Sequence, residues 1–553
     1  MNHLYRRTAL ARHRARGLPA PWVRSALAGT LLGLCCAGPL QAQTAPAVPR
    51  AQVSQFQVNG NTLLPAARIE AALAPFKGER SLDELKAAAA AVQDLYREAG
   101  YGAVVALVPE QTLAGGTVQI TVVEGKLAKV SVGGQQQFSE ANVRASLPDL
   151  AVGQTPRVRR IDSQIQMANE NPAKQVQVLL QPGQQAGEVE AKVTVTEAPV
   201  LSGSLRADNT GNERTGRSRL SVSGQHANLS GRDDVLSAEL QVSPEQVGDV
   251  AVLSAGYHLP LYSHLAAIDA YLALSDIDGG NTATVAGNLQ FAGRGQVAGL
   301  RGTFYLPRLG EIDQRASVSF EHRNYLNDCS IAGLPDGACG PAGESVSVQP
   351  LSVGYSLQGG GATPFSLNLS LHHNLLLRWG HGEDSDFEAV RPGAKPRYTV
   401  LRSSGALGLA LPQAWQLQLR MGAQWTDDGL VSGEQFGLGG ASSVRGYQER
   451  ELGGDLGVSA ALELTTPELA ETLAFGKGSL RLLAFADGGW VKNRLDTACL
   501  DKRTECSISS LGVGARWSYG PAQLRLDVAH ALRTASETDS GDTRVHVSFS
   551  YGF

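Results

Sequence analysis

Beyond residue 42 the chain lacks any apolar run approaching the roughly 20 residues of a membrane-spanning helix, so no helical crossing is expected. It also lacks an excess of positive charge. Lys and Arg total 48 against 52 Asp and Glu, a formal net charge of -4, which gives no support to a nucleic-acid partner. The first 42 residues, by contrast, lack Asp, Glu and Lys while holding Arg6, Arg7, Arg12, Arg14, Arg16 and Arg24, and a short apolar stretch follows from Ala26 to Gly38. A basic start, a short apolar core and "PLQA" ending at Ala42 read as an export signal over residues 1–42. Its removal would leave a mature chain at -10.

Cysteine is scarce, with six in the chain, and Cys35 and Cys36 fall in the signal. Leu34 rather than a small residue precedes Cys35, which argues against lipid attachment. The other four form two close pairs, Cys329 with Cys339 and Cys499 with Cys506. Four cysteines allow three connectivities, and short loops in an oxidising compartment favour pairing within each cluster. Neither pair has CxxC spacing or nearby His, so no metal is expected. The adjacent His372 and His373 point to opposite faces of a strand and do not form a ligand pair.

After a linker over 43–50, residues 51–125 read as strand, helix, helix, strand, strand. Ser81 and Glu84 form a capping-box pattern ahead of Leu82, Leu85, Ala89, Val92 and Tyr96, whose spacing is helical. The same order returns over 126–198, with a helix opened by Ser139 and a second near Arg157 to Asn169. Two small α+β modules in tandem are therefore expected. Either they are spacers, or an exposed strand edge or helix–strand groove binds an extended polypeptide by strand addition. Arg157, Arg159 and Arg160 form a basic cluster that is either a solvated helix face or a contact for an acidic partner segment.

From residue 199 the pattern has period two. "WQLQLRMGAQW" places Trp415, Leu417, Leu419, Met421, Ala423 and Trp425 on one face and polar residues on the other, and the chain ends in alternation at Phe553. Such alternation suits a closed transmembrane β-barrel, with lipid outside and a wet lumen inside. Sixteen antiparallel strands can be placed, with residues 277–295 the hardest to assign. Short turns such as "PLYS", "PQA" and "YGP" then share the module side, and the long connection 427–455 and both cysteine pairs fall on the other.

Several motifs carry a family resemblance: "DNTGNERTG" (208–216), "NLSGRDD", "SSVRGYQERELGGDLG" and "FADGG" (485–489). Together with the two modules they make the chain similar to two-partner secretion transporters of the TpsB type. Those are haemolysin and filamentous-haemagglutinin secretion/activation proteins, with polypeptide-transport-associated (POTRA) modules ahead of a barrel. The resemblance implies that loop 427–455 folds into the lumen and that Arg445, flanked by Val444, Gly446 and Tyr447, pairs with Asp487 between Phe485 and Gly489. Parity agrees, because Leu482, Ala484, Ala486 and Trp490 suit lipid and leave Phe485, Asp487 and Gly489 to the lumen. The local alternative pairs Arg445 with Glu449 or Glu451.

The resemblance further implies an outer-membrane location with the modules in the periplasm, a secreted exoprotein with an N-terminal secretion domain as partner, and contact with membrane lipid. It also implies assistance from the barrel assembly machinery, to which Phe553 would be presented. Some relatives carry a plug helix ahead of the first module. The short "QTAPAVPR" at 43–50 does not suit one. No cofactor is expected: "FGKGS" at 475–479 lacks the upstream glycine of a phosphate loop. Export would then proceed without nucleotide hydrolysis. Among alternatives, a barrel-assembly factor of the same superfamily is the nearest. A porin has little use for tandem modules, and His372, His373, Asp527 and His530 match no catalytic spacing.

Overall fold

The computed structural model describes residues 49–112, 115–212, 215–247, 250–276, 280–284, 287–291, 294–326, 344–470 and 478–553. The expected signal (1–42), most of the expected linker (43–50), Cys329, Cys339 and most of "FGKGS" lie outside them.

The first module packs the helices Ala66–Leu73 and Leu82–Glu98 on a three-stranded sheet. Thr117–Glu124 lies in the centre, parallel to Gln55–Asn59 and antiparallel to Val104–Leu107. Leu82–Glu98 starts where its capping box closes: Ser81 Oγ accepts from the Glu84 N–H, and the Glu84 carboxylate accepts from the Ser81 N–H at 2.7 Å. That exchange satisfies two groups that a helix start otherwise leaves open. Ile69, Leu73, Ala88, Val92, Tyr96 and Ile120 form the core.

The second module repeats this arrangement. Its central strand Glu188–Glu197 is parallel to Lys126–Gly133 and antiparallel to Lys174–Pro182, beneath the helices Glu140–Ala145 and Val158–Ala168. Its core, including Val143, Ile161, Val176 and Val193, continues without a break into Ala227, Tyr262, Ala267 and Tyr305 of the following domain. Burial on both sides of that junction fixes the second module to the barrel rim.

Among the described residues, sixteen strands close into an antiparallel barrel. The first eight are Leu201–Asp208, Arg219–His226, Val235–Val242, Ala251–Leu261, Ala266–Ser275, Gly295–Leu309, Ile312–Tyr325 and the broken strand Val346–Val348 with Pro350–Gly359. The second eight are Phe365–Asn374, Thr399–Ala410, Gln416–Trp425, Leu456–Thr465, Ser479–Lys492, Glu505–Tyr519, Ala522–Ala531 and Thr543–Gly552. Alternation sets their faces: Met421 and Trp425 are 54% and 53% exposed on the outside, while Gln424 is 5% exposed inside. The hard-to-assign region contains a hairpin, Gly280–Thr284 with Gly287–Phe291, that forms its own two-stranded sheet.

The seam joins the first and last strands in register from Ser204 with Gly552 to Asp208 with Ser548. It is prolonged at both ends. Gly203 and Phe553 exchange two backbone hydrogen bonds at 2.9 Å, and the Asn209 side chain donates to Val545 O at 2.7 Å and accepts from Val547 N–H at 2.9 Å. An amide side chain thus continues the ladder beyond the backbone pairing, leaving few open edge groups in a setting where each is costly.

The "NLSGRDD" turn has a defined task at the module side. Asp234 accepts from the Ser230 N–H at 2.9 Å and so tightens the turn. Asp233, in left-handed backbone geometry, faces the fully buried Lys174 of the second module in an ion pair, with Tyr262 donating to the same carboxylate at 2.6 Å. Arg315 pairs with Glu170 at 2.5 Å and Arg308 with Asp162 at 3.4 Å, so several strand ends hold the module.

Candidate functional site: an inward-folded loop

Loop 427–455 leaves the barrel at the end opposite the modules and turns back into the lumen, where Phe436–Leu438 pairs with Leu452–Gly454. Its tip carries Arg445, 1% exposed, and the contacts of the tip explain how a cation is kept there. Arg445 Nε and Nη2 donate to the two oxygens of Asp487 at 2.7 and 2.8 Å, and the Arg445 backbone N–H adds a third bond at 3.1 Å. The planar guanidinium also lies over the Phe485 ring, 3.4 Å from its centroid, and reaches Glu463 at 2.9 Å. A two-pronged bond of this kind offsets the desolvation of both ions, which an isolated buried charge cannot do.

Two flanking pairs complete a balanced set. Arg420 meets Glu463 at 2.9 Å, Arg516 meets Asp527 at 2.8 Å, and Asp527 also lies 3.7 Å from Arg445. The local alternative does not form. Glu449 accepts from the Ala441 N–H at 2.7 Å, and Glu451 accepts from the Gln448 and Glu537 N–H groups, at 2.8 and 2.7 Å.

Gly446 has φ of +95°, and a Cβ there would stand 3.3 Å from that of Ala529, so the backbone both turns and approaches the wall where a side chain would hinder it. Its N–H donates to His546 Nε2 at 3.0 Å. The Tyr447 hydroxyl lies 2.9 and 2.8 Å from the carbonyls of Ser509 and Arg533. Val444 and Tyr447 pack with Leu438, Leu452, Val491 and Ile508. Leu438 sits where a Cβ on Gly489 would be, which explains the small residue in the wall. The apolar cluster also takes in Cys506, disulfide-bonded to Cys499 in the connection above it.

Two further anchors hold the root of the loop. Glu434, 1% exposed, accepts from Arg323 at 2.7 Å, Tyr325 at 2.7 Å and Arg402 at 3.0 Å. Asp455, fully buried, pairs with Arg391 at 2.6 Å and accepts from the N–H groups of Leu430 and Arg494 at 2.9 and 2.7 Å. Sequence reasoning missed both. Parity could have found Glu463 and Arg323, which stand on lumen faces, but nothing periodic marks a carboxylate inside a loop.

The basic cluster of the second module does not act as a unit. Arg157 lies over the Tyr101 ring of the first module at 5.9 Å, Arg160 pairs with Asp149 at 3.0 Å and donates to Ser263 O at 2.9 Å, and Arg159 is exposed. Two of the three are thereby engaged in joining modules and barrel.

Comparison with known proteins gives this geometry its context. The family model for the haemolysin secretion/activation protein ShlB/FhaC/HecB matches residues 187–517, and that for the ShlB-type POTRA domain matches 51–125. The outer membrane transporter CdiB of Escherichia coli is 27% identical over 463 residues, covering 80% of this chain and 73% of the relative. The heme/hemopexin transporter protein HuxB of Haemophilus influenzae is 24% identical over 472 residues, covering 84% and 80%. The solved structure of CdiB from Escherichia coli superposes with a TM-score of 0.73 at 22% identity, over 93% of this chain and 92% of that one, and shows the same fold. The chain belongs to the haemolysin secretion/activation family ShlB/FhaC/HecB and is an outer-membrane transporter of the two-partner secretion type.

Proposed function

We propose that this transporter captures an unfolded exoprotein, entering through its N-terminal secretion domain, on the free edge of the second module and passes it through the barrel to the cell surface. No nucleotide is hydrolysed and no covalent chemistry is performed. The observation that carries the reading is the position of the edge strand Lys174–Pro182. It borders a three-stranded sheet on one side only, its Leu179 is 60% exposed, and its first residue is bound to the barrel rim; the Asn169 side chain closes the outward backbone groups of Val176 at 2.6 and 3.1 Å, which leaves those of Val178 and Leu180. An extended segment added there gains backbone hydrogen bonds in register at Val178 and Leu180, and is delivered beside the lumen.

The Arg445–Asp487 pair serves as the latch that keeps the loop tip against the wall. The exposed Arg159 adds a cation near the second module for an acidic segment, a lesser contribution. The export signal, the lipid belt around the outward apolar faces and handling of the chain end at Phe553 by the assembly machinery belong to the same reading. A barrel-assembly role is disfavoured by the seam, which Asn209 and Phe553 prolong.

The experiment is a secretion assay in cells carrying a large exoprotein of the family with Leu179→Asp transporter, barrel insertion being checked by heat-modifiable gel mobility. Export should fall by an order of magnitude or more while insertion is unchanged. Normal export by the inserted variant would refute capture at this edge.

A further inference from the structure

The loop leans to one side. Arg445, Gly446 and Tyr447 reach Asp487, Ser509, Ala529 and His546, all on the last four strands. Beside it, along the four preceding strands from Phe365 to Thr465, the lumen holds a cavity of about 710 Å³ bounded by Ser366, Asn368, Ser370, Ser404, Arg420 and Ser459. A second cavity of about 520 Å³ continues it toward the modules. The two share Asn368 and Ser370, and the second opens at Glu170 and Pro172, directly ahead of the edge strand Lys174–Pro182.

The size suits one extended chain. Strand rise, strand spacing and sheet spacing give roughly 160 Å³ per extended residue, so the two cavities hold about eight residues, spanning ~26 Å against the ~25 Å height of an apolar barrel belt. The chemistry suits it as well. Wall hydroxyls and amides can replace water around the backbone of an unfolded chain, while Arg323 and Arg402 are turned to Glu434, Arg420 to Glu463, and Arg450 to the carbonyls of Ser432 and Gln435. Such a wall binds weakly at many points, as conduction requires, where an apolar or singly charged wall would retain side chains.

The outer end of the larger cavity is lined by Gly433, Gln435 and Gly437 of the loop root and by Arg323, Tyr325 and Arg402, the three groups that hold Glu434. We propose that the exported polypeptide, extended and carrying mainly small polar side chains, runs along this hydroxyl wall, and that release of the Glu434 node at the loop root is the gating step. This rests on the export reading above. It assigns that reading a side of the lumen and a gate.

The test is current blockade by a Ser/Asn/Gly-rich unstructured polypeptide added on the module side of the full-length protein in a planar bilayer. Asn368→Trp fills the junction of the two cavities, and Ser548→Trp places the same side chain on the opposite wall. Blockades should fall by an order of magnitude in the first and stay near wild type in the second. A Cβ on Gly457 would stand 3.0 Å from that of Phe436, two residues from Glu434, so Gly457→Cys with Phe436→Cys ties the root to the wall when oxidised.

Blockades should vanish in the oxidised protein and return on reduction, relative to wild type in the same reductant. Equal loss in Ser548→Trp, or passage through the oxidised root-locked protein, would overturn the proposal. Wild-type protein that shows no blockades would overturn the passage too, while the export reading is judged separately by the Leu179→Asp secretion assay.

Discussion

Replacing Arg445 by Ala should release the loop tip without preventing barrel insertion. The substitution removes both prongs to Asp487, whose side chain is fully buried, and leaves that carboxylate with no cation. Glu463 and Asp527 keep Arg420 and Arg516. Breaking a buried pair by removing one partner costs about 3–5 kcal/mol. At 1.36 kcal/mol per tenfold, the docked-to-released ratio of the tip should fall by roughly two to four orders of magnitude. Asp487→Asn should cost less, because Arg445 retains Glu463 at 2.9 Å. Arg445→Lys should fall between them, keeping charge without the planar fork. Trypsin cleavage after Arg450, which the docked loop shields, reports the released population when opening is fast relative to cutting. Cleavage should accelerate in the order Asp487→Asn, Arg445→Lys, Arg445→Ala, with export falling in the same order. An Arg445→Ala protein cut as slowly as wild type, or less affected than Asp487→Asn, would refute the electrostatic account of the tip.

Two further outcomes follow from the modules. Lys174→Met should weaken attachment of the second module by about 3–5 kcal/mol, since Asp233 stays buried with only Tyr262 donating to it; limited proteolysis near residues 198–200 should accelerate, and adding Asp233→Asn should restore most of the protection. Burial alone would raise the Glu124 carboxyl, but hydrogen bonds from Thr62, Tyr96 and the Leu63 N–H outweigh it and hold the group below its ordinary value. A depressed carboxyl stabilises the fold above its unfolded value, about 4.3, and the benefit is lost as pH falls through the lower folded value. Acid unfolding of the first module, followed by circular dichroism, should therefore flatten in Glu124→Gln, and an unchanged acid limb would count against this role.

The barrel was legible because each strand divides lipid from water, so one parity rule applies from Leu201 to Gly552 and a slip would invert a whole face. Asp487 was legible for the same reason, its strand neighbours Leu482 and Ala486 being suited only to lipid. Glu434 and Asp455 were not. Their burial is created by Arg323, Arg402 and Arg391, which lie far away in sequence, and a loop has no period to betray which side it turns inward. The contacts of Arg157 and Arg160 were hidden for a related reason. Spacing on a short helix tells which residues diverge, but Tyr101 and Ser263, which engage these two, belong to a different module and to the barrel.

The two modules show how little sequence separates a spacer from a docked domain. Their sheets have the same strand order, and the edge strands begin at matching positions: Val104 stands opposite Glu124 at the end of the central strand of the first module, and Lys174 stands opposite Glu197 in the second. Both glutamates accept backbone N–H groups from the turn after the first strand, Thr62 and Leu63 in one case, Gln136, Gln137 and Phe138 in the other. With that scaffold held constant, the decisive difference is the residue at the head of the edge strand. Val104 closes the core of its own module, whereas Lys174 is a buried cation that has no stable place without Asp233 on the barrel rim. A lone buried lysine would destabilise the second module by several kcal/mol, so the module is at its most stable when docked. The same contact fixes the edge strand beside Glu170 and Pro172, which line the lumen cavity, so the proposed capture site and the proposed passage adjoin.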